Sequence, residues 1–240
     1  AADTLPSQVE KAIDKAHAEK FGTIVSQSHE GRLMPMHTVA LNVLRKVHRK
    51  DFYETEKGQK LTPMQVYLDM QINQRDWLDE KIILVSVDDF RKEFKLSGKY
   101  VSMHEFFGDN NHDYILEEGV NIATQKSDKD KGKRDKELLK VNDRFQSLNM
   151  ALTGYFTQIY PNPDESVDTW HNPQQALFRF KDKDSTVAVL QYMKYLVHLK
   201  RAKEHGNYDT CNILVDEIIA SQRNVAGDVM PTETQVDFEI

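Results

Sequence analysis

Histidine is the residue type in this sequence that first suggests metal or haem chemistry, because the chain has nine of them. Their spacing matches no recognised metal motif, since there is neither a His-Glu-x-x-His pair nor a Cys-x-x-Cys-His segment. The nearest approach to a ligand set is His104 with Glu105 and His112, whose imidazole and carboxylate groups suit transition metals. A His-based metal-dependent hydrolase is one hypothesis, ranked third, and we assign no metal ligand and no catalytic residue.

Nucleophilic catalysis has no recognisable arrangement in the sequence either. There is no Gly-x-Ser-x-Gly elbow, and no glycine-rich loop precedes a helix to hold phosphate. The single cysteine, Cys211, occupies an apolar helix position, where burial disfavours the reactive thiolate. We therefore do not expect this chain alone to be catalytic.

An unusual segment is HEGRLMPMHT at residues 29–38, which places a glycine, an arginine and a proline just before a predicted helix. The positive end of a helix dipole does not attract an arginine, so Arg32 needs an acceptor or anionic partner of its own. Two interpretations stay open. Arg32 is either a buried side chain that ties a loop to carbonyl groups, or a contact to a partner domain or a haem propionate. Thr38 is a candidate N-cap for the helix that follows.

Composition bounds the classes of function. The 240 residues are 39% hydrophobic and 29% charged, which suffices for one large core or two small lobes. A formal charge of -6 gives no broad attraction to nucleic acid or anionic lipid, so nucleic acid is not an expected partner. With one cysteine, the chain alone forms no disulfide and no cysteine-based metal site.

No membrane span is expected within the chain. The longest apolar runs, such as residues 82–85, fall far short of the roughly 20 residues needed to cross a bilayer. Residues 1–8 lack a starting Met and the pattern of a secretory signal. We therefore expect the natural protein to extend beyond this chain.

The spacing of apolar residues predicts a mainly α fold. We expect a helical bundle with a C-terminal antiparallel helix hairpin and at most one or two short strands, and residues 81–86 form either a buried strand or an extended connector. One helix has a clear start, with Thr62 as N-cap and Pro63 at the first helical position. The hairpin combines helices over residues 185–204 and 207–224, with Gly206 in a left-handed turn.

A long helix over residues 138–159 carries an apolar seam, and we expect the hairpin to pack on that helix. The segment just before it alternates basic and acidic residues without any apolar side chain, which is typical of an exposed linker or a frayed helix start. This pattern predicts three regions: an N-terminal helical region at 1–125, a charged linker at 126–136, and a C-terminal three-helix region at 137–240.

The segment at residues 29–38 also carries a resemblance to a known family. Together with LRKV at residues 44–47 and LTPMQV at residues 61–66, it is similar to the Gly-Arg-x-x-Pro-x-x-Thr region of fused system II cytochrome c synthetases. These are the ResB/CcsA-type proteins of the bacterial cell envelope. The candidate binding or interaction residues are the matching positions and one neighbour: Gly31, Arg32, Pro35, His37 and Thr38. The likeness continues weakly through residues 99–102 and 105–107.

The resemblance implies an extracytoplasmic (periplasmic) domain at the bacterial inner membrane, anchored through flanking segments of a protein that exports haem and ligates it to cytochromes. The implied role is a scaffold or docking domain. Its partners would be apocytochrome c and the membrane-embedded part of the same protein. The family's tryptophan-rich haem-presenting signature is missing here, so haem is implied for the parent protein and none is predicted in this chain. The alternative is a periplasmic helical protein-interaction module unrelated to cytochromes.

Overall fold

The computed structural model describes residues 11–108, 113–163, 169–181, 183–232 and 234–236. Helices dominate these ranges, which confirms the predicted mainly α fold. They are α1 (Lys15–Gly22), α2 (Met36–Val47), α3 (Pro63–Ile72), α4 (Gln74–Asp79), α5 (Asp88–Glu93), α6 (Glu117–Gln125), α7 (Lys133–Leu152), α8 (Pro173–Arg179), α9 (Lys183–His205) and α10 (Asp209–Ala226).

The strands in the described ranges form four separate antiparallel pairs, which is more than the one or two strands expected. They are β1 (Val25–Gln27) with β2 (Leu33–Pro35), β3 (Tyr53–Glu54) with β4 (Lys60–Leu61), β5 (Ile83–Leu84) with β6 (Tyr100–Val101), and β7 (Tyr160–Pro161) with β8 (Trp170–His171). Strands of two or three residues are too short to carry the alternating pattern by which a strand is recognised. Residues 81–86, expected to form a strand or an extended connector, contain β5.

Helix α3 lies at the centre of the fold, in contact with α1, α2, α7 and α9. It begins as predicted. The Thr62 hydroxyl accepts a hydrogen bond from the Gln65 backbone N–H, the Gln65 side chain accepts one from the Thr62 N–H, and Pro63 occupies the first helical position. Residues 63–71 are all buried. A helix enclosed on every side has no solvent face, which explains why no amphipathic stripe marks it in the sequence.

A buried ion pair ties α9 to α3. Lys203 Nζ lies 2.5 Å from Asp69 Oδ1, and the two side chains are 5% and 3% exposed. The Asp69 carboxylate also accepts from Asn73 Nδ2 at 2.7 Å and from Trp77 Nε1 at 3.2 Å. Burial raises the pKa of Asp69, and the contact with Lys203 opposes that shift. The buried Asp69 carboxylate therefore accepts hydrogen bonds from Lys203 of α9, from Trp77 of α4 and from Asn73, which lies between α3 and α4.

The C-terminal hairpin forms as predicted from α9 and α10, and Gly206 between them has the expected positive φ of 81°. Its packing differs from the expectation. Helix α9 contacts α3 and α8, and α10 contacts α1, whereas α7 packs mainly on α2, α3 and α6. Since α3 contacts both α7 and α9, it occupies the position where those two helices were expected to meet.

Helix α7 ends at Leu152 and not near Ile159 as predicted. Gly154 has a φ of +72°, a left-handed conformation that does not continue a helix, so the last part of the apolar seam lies outside it. The helix starts at Lys133, inside the predicted charged linker. There Lys126 Nζ donates to the Asp135 carboxylate at 2.8 Å.

One main hydrophobic core contains side chains from Ile13 to Ile218, so residues on both sides of the predicted linker contribute to it. A smaller buried cluster, separate from that core, consists of Val25, Trp170, Ala226 and Val236. The division into three regions stays a prediction. Among the described helices, none combines the length and the apolar character that crossing a membrane requires.

The buried ion pair leads to a stability prediction. Asp69→Ala leaves the Lys203 ammonium buried without its carboxylate, which typically costs about 3–5 kcal/mol. The free energy of unfolding, measured by urea titration, should fall by that amount. Lys15→Ala is the control, because it removes an exposed pair with Glu19 worth about 0.5 kcal/mol at most. Equal effects of the two substitutions would contradict the assigned importance of the pair.

Candidate functional site

The candidate residues Gly31 and Arg32 lie in the turn of the β1–β2 hairpin. The strands pair Val25 with Pro35 and Gln27 with Leu33. The turn closes through the Gly31 N–H, which donates to the Ser28 carbonyl at 2.9 Å, and the Ser28 N–H, which donates to the Arg32 carbonyl at 2.8 Å. Gly31 has a φ of +85°, and an added Cβ would meet nothing within 4 Å. The glycine is therefore needed for its backbone conformation and not for close packing.

Arg32 is exposed, which contradicts the interpretation of a buried side chain. Backbone hydrogen bonds hold the turn, together with the Ser28 hydroxyl, which accepts from the Arg32 N–H at 3.1 Å. The Arg32 side chain is thus presented at the surface of the hairpin turn.

Pro35 ends β2 and starts the helix. It is buried, has an extended conformation (φ -62°, ψ 148°) and is the N-cap residue of α2. The next residue, Met36, donates its N–H to the Ile24 carbonyl at 2.8 Å. Thr38 therefore lies inside the first turn of the helix, and its prediction as N-cap is wrong. The fixed φ of proline sets the start of the helix three residues earlier than the threonine suggests.

His37 is half-buried in the first turn of α2, next to Gly22 of α1. A Cβ at Gly22 would lie only 3.3 Å from His37 Cβ, so the glycine permits the close approach of the two helices. Burial lowers the pKa of His37, and Glu19 opposes that shift. Its Nδ1 is buried and has no hydrogen-bond partner among the described residues. The candidate residues thus divide between two places, with Gly31 and Arg32 in the turn and Pro35, His37 and Thr38 at the helix start.

Two clefts border the hairpin. The first, of about 590 Å³, separates the turn from α2 and α7. Its lining includes Met34, Val43 and Phe156, and also His29 and Glu30 of the turn. The second, of about 600 Å³, lies between β2 and residues 229–236. Apolar and polar side chains line the first cleft together.

No protein-family model matches the chain. The chain is similar to a curated protein named Protein NrfI, from Wolinella succinogenes. The two are 24% identical over 220 residues, which is 92% of this chain and 23% of that relative. The chain therefore spans about a quarter of the relative's length. A match that long starts near residue 21 at the latest, so it includes the β1–β2 hairpin.

Two buried glutamines that hold this region were not identified from the sequence. Gln27 Oε1 accepts from the Trp170 N–H at 2.9 Å, which joins β1 to β8. Gln222 Nε2, from α10, donates to the carbonyls of Val25 and Ile159, both at 2.7 Å. An isolated glutamine carries no local pattern, and the contacts to Trp170, Val25 and Ile159 each span more than 60 residues, so only an alignment of related sequences could have suggested these roles.

His104 and Glu105, two of the three residues of the metal hypothesis, contact other protein groups in the structure. His104 Nδ1 lies 2.5 Å from Asp79 Oδ1 at an exposed position. The Glu105 carboxylate accepts from the N–H groups of Ser97 and Ser102. His112 lies outside the described residues. Within the part of the chain that is described, no cluster of three or more His, Cys, Asp and Glu residues is positioned to hold a metal ion.

Cys211 is buried in α10, at the apolar position that the sequence indicates. Burial raises the pKa of its thiol to about 11. The thiol is therefore protonated at neutral pH, which is the unreactive form.

The turn glycine can be tested directly. Gly31→Ala should lower the free energy of unfolding by about 1–2 kcal/mol, because the left-handed conformation is costly for a residue with a Cβ. Gly31→Asn should cost less, since asparagine tolerates that conformation better. The control is Gly98→Ala, at a position without a positive φ, where the new Cβ would have a nearest contact of 3.8 Å. Equal losses for Gly31→Ala and Gly98→Ala would refute this account.

Burial of His17, His37 and His48 predicts loss of stability in acid. Burial lowers the pKa of all three from an ordinary value of 6.5. The unfolded chain therefore binds protons first as the pH falls, and the free energy of unfolding should decrease below about pH 6.5. His37→Asn should make that decrease shallower between pH 7 and pH 5, whereas His29→Asn, at an exposed position of the same hairpin, should not. An unaltered pH profile in the His37 variant would count against a buried, neutral imidazole.

Proposed function

We propose that this chain is the extracytoplasmic domain of a membrane-bound cytochrome c assembly protein and acts in it as a scaffold or docking domain. The similarity to Protein NrfI supports a role in cytochrome c biogenesis in general. The finer assignment to the fused ResB/CcsA type is part of the proposal. It is supported by the match of residues 29–38 to that family's Gly-Arg-x-x-Pro-x-x-Thr region.

The proposal rests on the structure of residues 29–38, which lie in the β1–β2 hairpin and at the start of α2. A hairpin presents Arg32 at the surface, next to a cleft with apolar walls, while Pro35 and Gln27 fix the hairpin from beneath. A rigid support with an exposed arginine and an apolar groove has the features of a protein-docking site. We therefore propose apocytochrome c, or the haem-presenting module of the same protein, as the partner at this hairpin.

Haem belongs, in this proposal, to the parent protein and not to this chain. We assign no haem ligand to His29, which is exposed, or to His37, which is half-buried. No step of haem chemistry is assigned to residues of this chain. We propose that the domain faces the periplasm and is held at the inner membrane by other segments of the protein, which are its further partner.

Arg32 provides the test. Arg32→Ala should lower the amount of cytochrome c with covalently attached haem in cells that depend on this protein, because the substitution removes a surface contact. The melting temperature of the isolated chain should not change, since the side chain is exposed. Covalent haem is measured by haem staining of denatured protein on gels.

Arg75→Ala is the matched control, because Arg75 is also exposed but lies on α4, outside the hairpin. It should leave maturation at the wild-type level. Normal maturation in the Arg32 variant would reject the docking role of the hairpin. It would leave the alternative of a helical interaction module unrelated to cytochromes.

A further inference from the structure

Helix α9 has two apolar sides, although only one of them faces the core. The buried side carries Ala188, Tyr192, Tyr195, Leu199 and Ala202, each at most 6% exposed. On the opposite side Val187, Leu190, Met193 and Val197 are 52–58% exposed. At 100° per residue, these four side chains form one stripe centred roughly 165° from the buried side. We call them the outer stripe of α9.

An outer stripe of this kind is unusual for a helix at the surface of a folded domain. The outward side of such a helix is normally polar, and contiguous exposed apolar side chains mark interaction sites. Phe178, on the neighbouring helix α8, adds to the exposed apolar surface because it is 85% exposed. This part of the molecule therefore exposes apolar area that its own fold does not use.

The charges around the outer stripe indicate the partner. Residues 173–205 contain seven Lys and Arg and three Asp and Glu, a local formal charge of +4, while the rest of the chain has 25 and 35, or -10. Lys183, Lys194 and Arg201 are exposed and lie within about 45° of the centre of the stripe. Glu204, at the end of the helix, is the acidic residue on this side. The whole chain has a formal charge of -6, yet this face of α9 is both apolar and basic.

We propose that the outer stripe of α9 rests on a lipid surface that contains anionic headgroups. An exposed helix face with apolar residues along its centre and Lys and Arg beside them is typical of a helix that lies in the membrane interface. The apolar side chains enter the boundary between headgroups and acyl chains, and the cations approach the lipid phosphates. A neutral or cationic lipid surface could accept the apolar side chains of the outer stripe, but it would not attract the Lys and Arg side chains beside them.

This inference goes beyond the proposed docking role and does not depend on it, since the lipid contact involves a different helix. It explains how a net-negative domain can approach an anionic membrane, because the contact is made by a helical segment whose local formal charge is positive. The expected orientation presents α8 and α9 to the lipid.

The experiment is flotation of the intact chain with vesicles made of equal parts phosphatidylglycerol and phosphatidylcholine. Vesicles of phosphatidylcholine alone serve as the neutral reference. The wild-type chain should bind the anionic vesicles at least about tenfold more tightly than the neutral ones, and high salt should weaken that binding. Failure to bind the anionic vesicles, or equal affinity for both compositions, overturns the proposal.

Variants assign the binding to the outer stripe. Leu190→Gln with Met193→Gln should reduce the affinity about tenfold or more, because two apolar side chains no longer enter the lipid. The matched control is Ile122→Gln with Ile213→Gln, which changes isoleucines of similar exposure on α6 and α10. Equal losses in the two double variants overturn the proposal. Circular dichroism identifies any variant that has lost its fold.

A second pair tests the charge. Lys194→Gln with Arg201→Gln should weaken binding to anionic vesicles about tenfold or more and remove most of its salt dependence. Lys136→Gln with Lys140→Gln, two exposed lysines of α7, should not. If the stripe instead mediates a concentration-dependent dimer, which Leu190→Gln with Met193→Gln abolishes while vesicle binding is absent, the lipid proposal is overturned in favour of self-association.

Discussion

The burial of helix α3 over residues 63–71 is the constraint on which the rest of this structure depends. Gln65, Asp69 and Gln71 lie on this helix and are at most 7% exposed, so each needs partners from neighbouring elements. Gln65 Nε2 donates to the Ile13 carbonyl at 2.6 Å, Gln71 Nε2 to the Ala151 carbonyl at 2.8 Å, and Asp69 pairs with Lys203. Unmade hydrogen bonds of buried groups are costly. The segment before α1, the end of α7 and the end of α9 are therefore all tied to one helix.

The β1–β2 hairpin depends on the same kind of interaction. Two strands of three residues have few ladder hydrogen bonds and are marginal alone. Gln27 and Gln222 supply further hydrogen bonds, because an amide side chain both donates and accepts. Gln27 connects the hairpin to β8, and Gln222 connects it to α10 and to the segment before β7. A surface arginine on this hairpin is thus held by contacts that lie well inside the molecule.

The features that the sequence predicts correctly are those with local causes. The start of α3 follows from Thr62 and Pro63, and the turn between α9 and α10 follows from Gly206, because each effect acts within a few residues. Errors arise where distant contacts or a single backbone conformation decide the outcome. The packing partner of α9 depends on α3, which is remote in sequence, and the end of α7 depends on Gly154. At the candidate site, the exposure of Arg32 and the role of Gln27 depend on the tertiary fold, which no local pattern in the sequence reveals.

The small cluster formed by Val25, Trp170, Ala226 and Val236 has a consequence for the motions of the protein. A separate group of four buried side chains can open with a smaller free energy than the whole domain, as a cooperative unit of its own. That unit joins β1, β8, the end of α10 and the segment near residue 236. Release of the C-terminal segment and loosening of the strands beneath the hairpin are therefore coupled. Amide hydrogens there should exchange with solvent as one group, ahead of those in α3.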